Sequence, residues 1–319
     1  LEVWDVKGAF LKAPMNTPGV YVMLEKHIVT RMLDILKSGD KEKHKLWEAA
    51  VKPDGRLIVE VKKGWYGLAC SSMLWHNEIS ATLIKEAGYT QHPLERCMYF
   101  RVNEDKSQSY IMLHVDDLGI LIKPGSPERD RLKGILEAKY EALKIQQGDK
   151  VKYIGFEIYR NRAKNRFELT MYDYILRMCT QYNVGGSSGK VVKNPATSDD
   201  FGSAVYEKED DNKPYDQISV YRSLVMSMQY GTLVMPSVKY HVILLATRQV
   251  CPKCGDYKKA QRVLEYMKQQ AQKPVYIYGH GDDPDIYVYA DAAFDMYPDS
   301  HSQSGLSVFI GTAGGDIHN

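Results

Sequence analysis

The chain has 319 residues, with 42 lysines and arginines against 40 aspartates and glutamates and a net charge of +2. That length leads us to expect two or more domains with sizeable cores, and the near-balance of charge excludes a global polycation. Five cysteines, Cys70, Cys97, Cys179, Cys251 and Cys254, make an odd number in a mid-sized chain and argue against a disulfide framework.

No signal peptide or apolar run of membrane-spanning length is present, so the expectation is an intracellular protein with no membrane partner. The charges are blocky: 144–193 and 239–273 are basic, 199–216 and 282–299 acidic. Basic stripes beside an acidic centre suit a polyanionic substrate handled through metal ions; solvated helix faces would give the same counts. Cys251-Pro-Lys-Cys254 has C-x-x-C spacing, but no second ligand pair follows, which favours helix-end packing over zinc or redox chemistry. The chain opens with Leu1 inside an apolar run and reads as a fragment.

In chain order, residues 1–10 (L-E-V-W-D-V-K-G-A-F) predict a short strand carrying one acid, Asp5, among apolar neighbours. Residues 20–24 predict a strand, and Ile28, Met32, Leu33, Ile35 and Leu36 follow at helical spacing. The run 41–45 is charged and reads as solvated. Pro53-Asp-Gly55 signals a turn before an alternating strand at 57–61. Gly64-Trp-Tyr-Gly-Leu68 leads into a helix expected over 71–87, with Gly88 as its stop. Glycines at 64 and 67 either let a ligand approach the backbone before a helix N-terminus or simply make a strand-to-helix turn.

Residues 96–102 and 110–123 predict strands of an acidic hairpin. The second stretch, Y-I-M-L-H-V-D-D-L-G-I-L-I-K, carries the pair Asp116-Asp117 between two apolar runs. Asp is a turn former, so the pair can be a plain hairpin tip. Adjacent part-buried acids also repel, and hard oxygen ligands then call for Mg²⁺ or Mn²⁺. Asp5 is the partner that favours the second reading: two strands can converge three carboxylates on metal ions for an in-line phosphoryl displacement. Further on, a helix is expected over 128–143 with Ser126 as its cap. A hairpin made of one strand at 151–159 and another at 166–171 comes next. After it the expected helices run over 172–182, 219–232, 238–248 and 257–270. Segments 185–189 and 199–216 read as linker. Strands are expected at 285–291 and 306–310.

The motifs, taken together, resemble the reverse transcriptase region of copia-type retrotransposon polyproteins over essentially the whole chain. D-V-K-G-A-F-L at 5–11 resembles the first palm motif, and V-K-K-G-W-Y-G-L at 61–68 with Leu74-Trp75 the second. H-V-D-D-L at 114–118 resembles the catalytic hairpin, and Y-I-G-F-E-I at 153–158 the primer-gripping hairpin. Y-R-S-L-V at 221–225 before Met235-Pro236 resembles the helical segment after the thumb. V-Y-A-D-A-A-F at 288–294 with 302–305 resembles the opening of a ribonuclease H domain.

The fold this resemblance implies is α+β: a right-hand polymerase palm with partial fingers, a helical thumb and connection, and the start of a ribonuclease H fold. The implied segments are palm at 1–19, partial fingers insertion at 20–62, palm at 63–171, thumb and connection at 172–274, and a truncated ribonuclease H-like segment at 275–319. The implied reaction is RNA-directed DNA synthesis. Asp5, Asp116 and Asp117 would be catalytic and metal-ligating, with Mg²⁺ or Mn²⁺ as cofactor. Phe10, Tyr66, Gly67, Lys152 and Gly155 would contact substrate, and Asp291 would be a vestigial ribonuclease H carboxylate. The implied partners are RNA or DNA template-primer, deoxynucleoside triphosphate, integrase and the rest of a parent polyprotein, in cytoplasmic virus-like particles. His114 and Ala69-Cys70 depart from relatives, many of which have Tyr and a Lys-Gln pair there. The family's remaining fingers strands and ribonuclease H carboxylates would lie outside 1–319. The alternative to an enzyme is a retroelement relic that retains only nucleic-acid binding.

Overall fold

Alternation of buried and exposed side chains along short strands builds the first part of the molecule around one antiparallel sheet. The computed structural model describes residues 1–185, 191–196, 206–279, 285–293 and 302–311. Its contacts divide the chain into two units, 1–147 and 148–319.

The first unit runs β1 (Glu2–Asp5), β2 (Tyr21–Leu24), α1 (Lys26–Gly39), α2 (Lys41–Ala50), β3 (Leu57–Glu60) and α3 (Ser71–Ala81). It continues with β4 (Thr90–Gln91), β5 (Met98–Val102), β6 (Gln108–His114), β7 (Asp117–Leu121), α4 (Glu128–Tyr140) and β8 (Lys144–Gln146). Six strands form a sheet in the order β4-β5-β6-β7-β1-β8. Trp4, Tyr99, Ile111, Leu118 and Ile120 are buried from the sheet, and Trp75, Ile79, Leu132, Leu136 and Tyr140 meet them from α3 and α4. Glu128, 4% exposed, ties α4 to its surroundings. It accepts from Arg131 Nε at 2.6 Å and from the Tyr89 hydroxyl at 2.9 Å. A buried carboxylate needs such partners. Strands β2 and β3 pair separately, and Leu24, Val29 and Leu57 make a small core under α1.

Three expectations in this unit change. The 41–45 run is the start of α2, with Asp40 Oδ1 accepting from Lys43 N at 2.9 Å as an N-cap. Only His44 and Trp47 of that helix are half-buried, so its apolar stripe is too thin to read. The helix expected to reach 87 ends at Ala81 and widens into a π turn over Thr82–Glu86. There Thr82 Oγ1 bonds back to the Glu78 carbonyl at 3.1 Å and meets the Tyr140 hydroxyl at 2.6 Å, bonding that competes with a regular ladder. The helix expected to reach 143 ends at Tyr140. Glu141, at φ 67°, breaks it and releases β8 into the sheet.

The second unit contains β9 (Lys150–Tyr153), β10 (Phe156–Asn161), β11 (Arg166–Thr170), α5 (Tyr172–Gln181), α6 (Glu209–Asn212) and α7 (Ile218–Gly231). It ends with α8 (Lys239–Ala246), α9 (Cys254–Gln270), β12 (Val275–Tyr278), β13 (Asp285–Ala293) and β14 (Gln303–Gly311). A four-stranded sheet has the order β12-β11-β10-β9, and β13 pairs with β14. The helical core gathers Met178 of α5, Tyr221, Leu224 and Met228 of α7, Val242 of α8, and Val263, Leu264 and Met267 of α9. The strand expected over 151–159 is two strands, β9 and β10, reversed at Ile154-Gly155. Of the expected linkers, 186–189 and 199–205 lie outside the described residues, while Glu209–Asn212 is helical. Cys251 and Cys254 are free thiols, and α9 begins at the latter. Among the described residues no helix is long and apolar enough to cross a membrane.

Candidate active site

The site is a row of side chains laid across four neighbouring strands of the first sheet. His114 on β6 stands opposite Asp117 on β7, Asp117 opposite Asp5 on β1, and Asp5 opposite Lys144 on β8. Directly opposed residues in antiparallel strands point to the same face, so the order across the sheet is His114, Asp117, Asp5, Lys144. Asp116 joins them at the hairpin turn, and its carbonyl accepts from Val6 N at 3.1 Å.

Burial and like charge together set the electrostatics of the row. Burial first, then the carboxylates of Asp116 and Asp5, push the Asp117 carboxyl above its usual range, while His114 and Lys144 pull it back. A row whose acids repel one another is relieved by a cation, and carboxylate oxygens suit a hard divalent one. The donor chemistry therefore fits Mg²⁺ or Mn²⁺. Their grouping is looser: among the described residues no three His, Cys, Asp or Glu side chains are drawn together as a ready metal site. Asp5, Asp116 and Asp117 share one patch by backbone register, and their side chains must rotate to share an ion.

The hairpin tip is held from outside the sheet. Val115 carries φ 54°, which a β-branched residue rarely adopts. Its carbonyl accepts from Trp75 Nε1 at 2.5 Å. Trp75 is 1% exposed on α3, so a core residue fixes the turn that carries Asp116. Leu74-Trp75 was part of a sequence motif, but nothing along the chain pointed to this bond. Lys144 was missed as well, because a three-residue strand has no readable periodicity.

Phe10 lies on a short 3₁₀ turn, Ala9–Lys12, and is half-buried. Its ring sits 5.0 Å from that of Tyr66, which is 56% exposed. The fold thus joins two aromatics 56 residues apart, both singled out in the sequence. Gly64 explains the join: a Cβ there would meet the Phe10 carbonyl oxygen at 2.5 Å. Of the two readings of Gly64, a ligand's approach or a turn, the structure shows the chain's own backbone making the close approach. Gly67, at φ 96°, faces open space.

The other singled-out residues fall in the second unit. Lys152 on β9 is exposed and pairs with Asp173, which lifts the lysine and holds the aspartate below its usual range. Gly155, at φ 76°, forms the β9–β10 turn, and the Tyr230 hydroxyl donates to the Ile154 carbonyl beside it at 2.6 Å. Asp291 is exposed on β13, opposite Gly305.

Comparison with known proteins agrees with this architecture. Residues 50–196 match the model of the family described as reverse transcriptase (RNA-dependent DNA polymerase). The chain is 26% identical over 312 residues to a transposon Ty5-1 protein of Saccharomyces cerevisiae, covering 97% of this chain and 89% of that one. It is 23% identical over 256 residues to the retrovirus-related Pol polyprotein from transposon RE1 of Arabidopsis thaliana, covering 80% of this chain and 16% of the polyprotein. The RE2 counterpart is also 23% identical, over 263 residues, and is covered to 17% of its length. These likenesses support a reverse transcriptase of the copia-type retrotransposon kind. By family, they support an RNA-directed DNA polymerase, a nucleotidyltransferase.

Proposed function

We propose that the chain extends a primer on an RNA template, with Asp5, Asp116 and Asp117 as the catalytic carboxylates. The observation that carries this reading is the register that sets Asp5 opposite Asp117, next to Asp116 at the turn. In the reaction a primer 3′-hydroxyl attacks the α-phosphorus of a deoxynucleoside triphosphate and pyrophosphate leaves. A pair of divalent cations, when bound, neutralises charge on the attacking and leaving oxygens. The protein's part is positioning. Trp75 keeps the strained turn in one conformation, and Lys144 and His114 flank the acids and offset their repulsion. The Phe10 ring, in contact with that of Tyr66, would overlap a 2′-hydroxyl and favour deoxynucleotides. We assign 1–19 and 63–171 to a palm, 20–62 to a fingers insertion and 172–274 to thumb and connection. Lys152 and Gly155 would belong to the primer grip. On this reading 275–319 begins a ribonuclease H-like fold in which Asp291 by itself cannot hold two metal ions.

The test is RNA-templated primer extension with Mg²⁺ or Mn²⁺, the unchanged chain and Asp116→Asn side by side. Extension that is lost in Asp116→Asn supports the assignment. Extension that survives the substitution sinks it, and template-primer binding without any extension identifies a relic.

A further inference from the structure

A second site lies at the other end of the first sheet. Beside the edge strand β4 is a cavity of about 460 Å³ lined by His76, Asn77, Ser80, Gln91, His92 and Arg96. Two intervening strands, β5 and β6, separate β4 from β7. At ordinary strand spacing β4 runs about 14 Å from β7 across the sheet.

The hydrogen bonding of its walls decides what it can hold. Ser80 Oγ and the Tyr99 hydroxyl are bonded at 2.5 Å, and Gln91 Nε2 donates to the Arg96 carbonyl at 2.9 Å, so the floor is satisfied internally. His92 Nδ1 accepts from Glu95 N at 3.0 Å and Leu94 N at 3.3 Å. A ring nitrogen that accepts carries no proton, so His92 presents its Nε2–H as a donor. Among the described residues, neither Asn77 nor the Arg96 guanidinium has a hydrogen-bond or ion-pair partner. Among the described residues no carboxylate lines the cavity, and nearby Glu95 turns one oxygen to Cys97 N at 3.0 Å.

An imidazole N–H, a free amide and an uncommitted guanidinium around one hollow are a donor set without a counter-charge. Arginine's planar fork matches a tetrahedral oxyanion in a way a carboxylate-free pocket leaves unopposed. We propose that this cavity is a phosphate-binding site, separate from the acidic row, with Arg96, His92 and Asn77 as its ligands. The phosphate can come from a nucleic-acid backbone or from a small phosphorylated molecule.

The experiment follows the imidazole NMR resonances of His76 and His92 during titration with inorganic phosphate and, separately, with a short oligothymidylate. Arg96→Gln and Asn77→Asp serve as variants. Both positions are without partners, so the fold is retained. Either probe should move both histidines, with affinity falling about tenfold in Arg96→Gln, the loss of one charge-assisted contact. Asn77→Asp, which adds a carboxylate, should weaken binding at least as much. Tighter response to the oligothymidylate assigns a backbone phosphodiester; response to phosphate alone assigns a small-molecule source. Histidines that stay still with both probes, or that move equally in Arg96→Gln, overturn the site. Because binding is read and not synthesis, failure here leaves the polymerase reading untouched.

Discussion

Two tight hairpins, β6–β7 in the first unit and β9–β10 in the second, meet one backbone problem with different residues. Each reverses in two residues: His114 faces Asp117 across Val115-Asp116, and Tyr153 faces Phe156 across Ile154-Gly155. Each places a β-branched residue at positive φ, Val115 at 54° and Ile154 at 48°, a conformation costing about 1–2 kcal/mol. In each, the carbonyl of that residue is held by an aromatic donor on a helix, Trp75 in one and Tyr230 in the other.

The second turn residue is where they differ. Gly155 continues at φ 76°, the sign pattern of a type I′ turn, in which glycine is at ease. Asp116 stays out of the left-handed region, which is the type II′ pattern and would prefer glycine at position 115. A turn that only reverses the chain can spend its second position on glycine. The β6–β7 turn gives that position to a carboxylate and keeps strain at Val115. A fully buried tryptophan offsets it.

Substitutions at matched positions test that comparison. The largest effect is expected at the carboxylate: Asp116→Asn should lower primer extension about 10³-fold, the scale of losing a main electrostatic contributor to a transition state. Activity within a few-fold of the unchanged chain would remove Asp116 from the chemistry.

The two aromatic pins should rank by burial. Trp75→Phe removes the indole donor from a buried position and should cost about 2–3 kcal/mol in urea denaturation. Tyr230→Phe, at a partly exposed site, should cost about 1 kcal/mol. Equal costs, or the reverse order, would mean that the indole bond does not restrain the turn.

The turn residues themselves should move stability in opposite directions. Val115→Gly relieves the positive φ at a residue already 43% exposed and should stabilise by up to about 1 kcal/mol. Gly155→Ala should destabilise by about 1 kcal/mol. Its new Cβ meets Tyr230 only at ordinary contact distance, 3.5 Å, so the cost is conformational. A destabilised Val115→Gly would show that Val115 is not strained.

The smallest effect concerns pH. A carboxyl raised in the folded state binds its proton more readily there than in the unfolded chain, so Asp117 lowers stability while ionised. That penalty fades as pH falls through the raised folded value, and it is gone below the unfolded one. Asp117→Asn should therefore raise Tm at neutral pH by about 1–2 °C, as expected for about 0.5 kcal/mol of carboxylate desolvation and like-charge repulsion. The gain should vanish in acid. A gain that persists unchanged at low pH would locate its cause elsewhere than charge.

Local pattern alone was enough for a good part of this molecule. Apolar runs around Asp116-Asp117 and around Asp5 marked strands carrying acids, because strand periodicity and turn chemistry act over a few residues. The amphipathic repeats of α5, α7 and α9 were legible for the same reason. Tertiary structure decided what depends on distant partners. The run 41–45 turned out helical because Asp40 caps it while Trp47 packs beneath, a stripe too thin to show in the sequence. Strand 151–159 broke because Ile154 tolerates positive φ when Tyr230 holds its carbonyl from 76 residues away. Lys144 entered the acidic row only through pairing with β1, and Trp75 reached Val115 across 40 residues. Each of these contacts joins groups with no shared local period, so only the closed fold could bring them together.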